Sequence, residues 1–122
     1  MAYFEKYLTE VDVRKQVAIP TDFVKHLPDY EGGHTITFPV RDVASNVWEN
    51  FGYYIRREGN NYPKLVFQKD WRKYVRDKRL GPGDKIIFRV IRNGVDGALI
   101  YTLAAQTKVE VFGSVVGWTE EF

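Results

Sequence analysis

Two short polar stretches hold the side chains best suited to reading a nucleic-acid base. The first, DVRKQ at 12–16, sets Arg14 and Lys15 beside Gln16, so cationic and amide donors share one tip. The second, IRREGNNYPK at 55–64, holds Arg56, Arg57, Asn60, Asn61, Tyr62 and Lys64. Arg chelates O6 and N7 of guanine, and Asn or Gln chelates N6 and N7 of adenine. A folded domain projecting both stretches could straddle a major groove. Composition alone leaves them equally readable as ordinary polar surface loops.

A third stretch, DWRKYVRDKR at 70–79, is more basic still: from Lys69 to Arg79 there are six Lys or Arg among eleven residues. Trp71, Tyr74 and Val75 fall at i, i+3 and i+4 and share one face of a short helix, with Arg72, Lys73 and Arg76 elsewhere. Asp70 at its front and Lys78 and Arg79 at its back suit the helix dipole, and Gly81-Pro82-Gly83-Asp84 ends it. The letters W-R-K-Y also open the signature of a zinc-stapled family of plant DNA readers. That family needs two Cys and two His after the motif. Here there is no cysteine, His26 and His34 lie upstream, and the run continues Val75-Arg76-Asp77. The tetrapeptide is a coincidence, and the helix reads as a solvated basic face anchored by its aromatic side.

Other chemistry is poorly supported. Ser45 and Ser114 lack a nucleophile-elbow context, the two histidines read as turn and helix-end residues, and the 16 carboxylates form no close cluster. No Gly-rich segment has phosphate-cradling spacing. The expectation is a non-enzyme with no metal and no cofactor.

The elements that must position these stretches are mostly strands. YFEKYL near the start, QVAIP at 16–20, HTITFPV at 34–40, NVWENFGYYI at 46–55 and KLVF at 64–67 are β-rich, with Ile36, Phe38 and Val40 on one face. KIIFRVIR at 85–92 and ALIYTLAA at 98–105 flank Asn93-Gly94 and Asp96-Gly97 and should pair as a hairpin. KVEVFGSVV at 108–116 reads as a last strand with Val109, Val111 and Val115 inward. A first short helix follows Pro20, with Thr21 as its N-cap and Pro28 as its stop. About seven strands, two brief helices and hairpin-sized turns argue for a closed or nearly closed antiparallel barrel. At 122 residues the chain is one domain that buries roughly 65% of its unfolded surface.

Net charge is only +2, but Arg56 to Arg92 carries twelve Lys/Arg against four Asp/Glu, a local +8. The last thirteen residues hold three Glu and no Lys or Arg. A basic centre with an acidic end suggests a polyanionic partner. The first ten residues, MAYFEKYLTE, carry charges where a secretory leader needs an apolar run, and no stretch approaches the ~18 apolar residues of a membrane span. No membrane partner is expected.

The ordered motifs resemble the plant B3 DNA-binding domain. FEKYLTEVDV (Phe4 to Val13) resembles that family's F-x-K-x-L-T-x-S-D-V, and VAIP (Val17 to Pro20) its L-x-I-P. FVKHLP fits its first helix, and Trp48 its tryptophan before the second arm. KDWRKYVRDKRLGPGDKIIF (Lys69 to Phe88) is similar to K-G-W-x-x-F-V-x-x-x-x-L-x-x-G-D-x-V-x-F. The match spans roughly residues 4 to 105. It departs in a short first arm, a longer second arm and Asp70 in place of the usual Gly, as in a divergent branch such as the reproductive-meristem type.

The resemblance implies a mainly β fold: a seven-stranded open antiparallel pseudobarrel with two short α-helices, over 1–107. Residues 108–122 would then be an extension, an added strand plus acidic tail. It also implies sequence-specific binding of double-stranded DNA through two arms in the major groove, in the nucleus, by a plant transcription regulator. The first arm would be Arg14, Lys15 and Gln16. The second would be Arg56, Arg57, Asn60, Asn61, Tyr62 and Lys64, with Lys69 meeting phosphate. Two alternatives stand beside this reading. One is a barrel that stacks single-stranded bases on Tyr53, Tyr54 and Tyr62. The other is a protein-interaction or dimerisation module with weak or non-specific nucleic-acid binding, using the apolar C-terminal segment.

Overall fold

Alternating apolar residues in the sequence close into a barrel because each strand has one face to bury. The computed structural model describes residues 2–29, 35–56 and 64–122. In chain order the elements are β1 (Ala2–Tyr7), α1 (Glu10–Arg14), β2 (Val17–Ile19), a 3-10 helix (Thr21–His26), β3 (Ile36–Asp42), β4 (Val47–Arg56), β5 (Lys64–Lys69), α2 (Asp70–Lys78), β6 (Lys85–Arg92), β7 (Leu99–Gln106), β8 (Lys108–Val111) and β9 (Ser114–Trp118). The first seven strands form one sheet in the order β1-β6-β7-β3-β4-β5-β2. Its ladders are antiparallel except β3 with β7, which runs parallel and registers only Arg41 with Thr102 and Asp42 with Leu103. The sheet is nearly closed, with β1 and β2 as its edges.

The inward faces interlock through aromatic rings. Phe4, Phe38, Phe51, Phe67 and Phe88 are all buried. Phe67 lies 5.1 Å from Phe88 and 5.2 Å from Phe51, and Phe38 meets Tyr101 edge-on at 4.9 Å. Burying each such ring stabilises by about 1.5–3 kcal/mol, and edge-on geometry adds a further increment. Ile36, Phe38 and Val40 line one face of β3 as their alternation predicts, with Ile36 only partly buried. The paired strands 85–92 and 99–106 form the expected hairpin.

α2 buries Trp71, Tyr74 and Val75 and leaves Arg72, Lys73 and Arg76 exposed, which is the predicted division of its faces. Its far end is tied to β3. The Asp42 carboxylate accepts hydrogen bonds from Trp48 Nε1 at 3.1 Å, Asn46 N at 2.9 Å and Asn46 Nδ2 at 3.2 Å, and it pairs with Lys78 Nζ at 3.2 Å. Tyr74 packs beside this group, and its hydroxyl is buried with no hydrogen-bond partner among the described residues. Burial, with the nearby Asp42 and Asp77 charges, raises the Tyr74 pKa.

Three local expectations are corrected. Residues 12–16 are not simply a loop, because Glu10–Arg14 form α1 under a capping box, leaving Lys15 and Gln16 at its exit. Thr21 is not an N-cap: the turn is a 3-10 helix whose cap position is Pro20, with no side-chain cap bond. The segment 108–116 is not one added strand on the barrel. It reverses at Phe112 and Gly113, both at positive φ, and pairs with itself as a separate two-stranded sheet. Positive φ at both central residues is the geometry of a tight hairpin turn. Val109, Val111 and Val115 are therefore exposed, not inward.

The chain after β9 returns to the barrel. Thr119 N donates to Thr107 O at 2.9 Å, and Phe122 and Ala105 exchange two backbone bonds of 2.9 Å. Trp118 lies 5.4 Å from the Tyr7 ring, and Glu121 forms a two-pronged pair with Arg89 at 2.7 and 2.9 Å. The register puts Ile87 and Ala104 on the outer face, yet both are only 2% exposed. On either side of Ile87, Lys85 lies 5.0 Å from the Trp118 ring and Arg89 pairs with Glu121. No helix among the described residues is long and apolar enough to cross a membrane.

The Asp42 group has a testable pH signature. Burial alone would raise the carboxyl pKa, but hydrogen bonds from Trp48, Asn46 and Lys78 outweigh it and hold the value below normal. A lowered folded-state pKa contributes stability that is complete above the unfolded value of ~3.9 and is lost as pH falls through the folded value. Asp42→Asn, which leaves Lys78 only the longer pair with Asp77 at 3.8 Å, should cost about 1.5–3 kcal/mol at pH 7 in urea unfolding. The difference from wild type should shrink between pH 5 and about pH 3; a constant difference would refute the assignment.

Candidate nucleic-acid interface

The predicted first arm, α1 and its exit, is held by a chain of polar contacts that begins at Thr9. Thr9 Oγ1 accepts from Asp12 N at 3.2 Å, and Asp12 Oδ2 accepts from Thr9 N at 2.8 Å. This reciprocal capping box satisfies two donors that a helix start would leave open. Asp12 Oδ1 pairs with Lys6 Nζ at 3.2 Å, and Lys6 also donates to the Ala18 carbonyl. The Asp12 carbonyl then accepts from Trp71 Nε1 at 2.7 Å, in a fully buried bond. Trp71 therefore fastens α1 to α2.

That junction brings Lys15 and Gln16 to the outer face of α2. With Gln68, Lys69, Arg72, Lys73 and Arg76 they surround an open concavity of about 680 Å³. Five cations share it. Lys73 lies 3.7 Å from Asp70, whereas Lys15, Lys69, Arg72 and Arg76 have no carboxylate partner among the described residues. Asp70 is turned inward, where its Oδ2 accepts from Asn50 N at 2.8 Å.

Lys69 is set by unusual backbone geometry. Its φ of 63° and ψ of −112° fall in a region that costs a non-glycine residue about 1–3 kcal/mol. This kink turns β5 directly into α2. The Lys69 stem lies over Gly52, where an added Cβ would sit 3.1 Å from Lys69 Cδ and 2.9 Å from Thr35 Cγ2. Gly52 thus leaves the passage that the lysine occupies. Gln68 is fixed beside it, donating to Thr35 Oγ1 at 2.7 Å.

The sequence-predicted residues divide into three groups. Lys15, Gln16 and Lys69 meet in the concavity. Arg14 is exposed at the end of α1 and pairs with Glu10 at 3.2 Å. Arg56 and Lys64 face each other across β4 and β5. Arg57, Asn60, Asn61 and Tyr62 lie outside the described residues. Sequence reasoning left Arg72, Lys73 and Arg76 as a solvated face and overlooked Gln68. The signal was present: Lys69, Arg72, Lys73 and Arg76 fall at i, i+3, i+4 and i+7, one stripe of a helix. Only the fold shows that this stripe and the exit of α1 line one concavity. Among the described residues no three His, Cys, Asp or Glu are grouped to hold a metal.

The chain is thus a nearly closed, mainly antiparallel pseudobarrel with a cationic hollow between the exit of α1 and the outer face of α2. The family profile of the B3 DNA binding domain matches residues 4–105, and the chain belongs to that family. The fold is similar to that in the Arabidopsis FUS3–DNA complex, with a TM-score of 0.63, 22% identity, and coverage of 82% of this chain and 93% of that one. The Arabidopsis thaliana transcription factor LEC2–DNA complex gives a TM-score of 0.60 at 21% identity, over 80% of this chain and 86% of that one. A hypothetical Arabidopsis thaliana protein gives 0.55 at 18% identity, over 85% and 88%. At such identities the likeness is one of fold. No curated protein sequence matches the chain.

Asp12→Ala removes the capping box and the Lys6 pair together. It should cost about 1–2 kcal/mol of stability. Hydrogen exchange should quicken across 10–16 while the α2 amides stay protected. Uniform loss of protection would show that the arm has no separate anchorage.

Proposed function

We propose that this domain binds double-stranded DNA sequence-specifically, as the DNA-binding part of a plant transcription regulator acting in the nucleus. The observation that carries the reading is the concavity lined by Lys15, Lys69, Arg72 and Arg76, four cations without carboxylate partners among the described residues. Membership of a DNA-binding domain family supports it. So do the folds shared with proteins solved as DNA complexes.

The mechanism has two parts. Cations of the concavity neutralise phosphates and set orientation, without sequence preference. Arg14, Lys15 and Gln16 on the first arm, and Arg56, Arg57, Asn60, Asn61, Tyr62 and Lys64 on the second, read base edges in the major groove. Residues 1–107 form the reading domain in this scheme, and 108–122 extend it.

With about five phosphates engaged, log K should fall against log salt with a slope near −4 to −5. Replacing Arg72, Lys73 and Arg76 together with Ala should flatten that slope by roughly 2 to 3 and weaken all duplexes alike. Arg57→Ala or Asn60→Ala should each cost about 1–3 kcal/mol at a site selected from a random duplex pool, and relax its sequence. An unchanged slope in the triple variant would remove the concavity from the interface. Tighter binding of single strands than of duplex in the same competition would overturn the reading.

A second reading, self-association through the C-terminal hairpin, rests on the fully exposed Phe112 between the exposed Val109, Val111, Val115 and Val116. The edge strand β9, SVVGW, carries no charge to discourage pairing with a second copy. Sedimentation equilibrium should then show a dimer that Phe112→Ser weakens. A monomer at ~1 mM, the weak end of binding affinities, would end this reading.

A further inference from the structure

β3 and β7 pair at only two positions and diverge before them, leaving a wedge in the barrel wall. Its floor is Phe38, Val40 and Tyr101, and its sides are Pro28, Pro39, Val47, Leu99 and Ile100. The volume is about 300 Å³, at the small end of ligand pockets. Two polar groups reach this apolar space. Arg41 is exposed at its edge and forms no ion pair or side-chain hydrogen bond with any described residue. Tyr101 is mostly buried, and its hydroxyl has no hydrogen-bond partner among the described residues. Burial raises its pKa, so the hydroxyl stays protonated and available as a donor.

We infer that this wedge is a binding site for a small apolar carboxylate, its body against Phe38, Val40, Leu99 and Tyr101 and its carboxylate on Arg41. Two observations favour a small molecule over an inserted peptide strand. Pro39 removes a backbone donor from β3, and the register of β3 shifts between Phe38 and Val40. Both spoil the regular edge that strand addition requires. Charge selects the acid: among the described residues the one cation at the wedge is unpaired, and no carboxylate lines it. Guanidinium and carboxylate match as a two-pronged pair. The site shares no residue with the cationic concavity and stands independently of the DNA reading.

The probe is 2-naphthoate, with 2-naphthamide as its neutral analogue, titrated into the whole chain and followed by amide and methyl NMR shifts. Saturable shifts at Val40, Leu99, Ile100 and Tyr101 are expected with naphthoate, and binding at least threefold weaker with naphthamide. Arg41→Gln should weaken naphthoate about tenfold, equivalent to ~1.4 kcal/mol, and leave naphthamide unchanged. Val47→Trp, at an exposed position on the rim, should fill the wedge and abolish both. No saturation, shifts confined to the Lys15–Arg76 surface, or equal naphthoate affinity in Arg41→Gln would each overturn the site.

Discussion

The bond from the Trp71 indole to the Asp12 carbonyl is the contact on which the geometry of the cationic concavity depends. Trp71 is wholly buried, so its ring position follows from the packing of the core and its N–H is the only part free to choose a partner. Because that partner is the backbone of α1, the core itself dictates where Lys15 and Gln16 stand relative to α2. A buried hydrogen bond of this kind is worth only about 1 kcal/mol net, but leaving either group unpaired costs more. The bond therefore specifies an arrangement more than it stabilises one.

Around this joint the domain gathers like charges that repel one another. Lys15, Lys69, Arg72, Lys73 and Arg76 share one hollow, and Lys69 sits on a strained backbone. The acids nearby are largely used elsewhere: Asp12 caps α1, and Asp70 accepts from the Asn50 backbone N–H with one oxygen while the other lies 3.7 Å from Lys73. At the other end of α2, Asp42 is fully engaged with Lys78, Trp48 and Asn46. These three carboxylates thus serve as internal fasteners, and the cations of the concavity keep a positive field at the surface. The strain and repulsion are tolerated because the aromatic core and these buried ties hold the barrel independently of that surface.

Much of the fold was legible because burial leaves a periodic trace. Phe38 and Val40 alternate in β3, Trp71, Tyr74 and Val75 recur at helical spacing, and Asn93-Gly94 and Asp96-Gly97 mark the hairpin between β6 and β7. The failures came where local signals were ambiguous. VFGSVV reads as a continuous strand until the turn at Phe112 and Gly113 is seen, because valine favours extended structure on either side of a reversal. α1 is a helix of five residues, too short to show a period. The helical stripe of Lys69, Arg72, Lys73 and Arg76 was visible but is chemically identical to an ordinary solvated face.

Residue order alone therefore established the barrel, the aromatic core, the basic second helix and the family, since each rests on patterns repeated along the chain. Contacts across long separations settled the rest. Asp12 and Trp71 are 59 residues apart and no local rule pairs them. Nor does any local rule bond residues 119–122 to the backbone of Ala105 and Thr107, or part β3 from β7 beside Arg41. Such partnerships arise from the closure of the sheet, which brings distant surfaces together according to register and twist, quantities that a linear pattern does not encode.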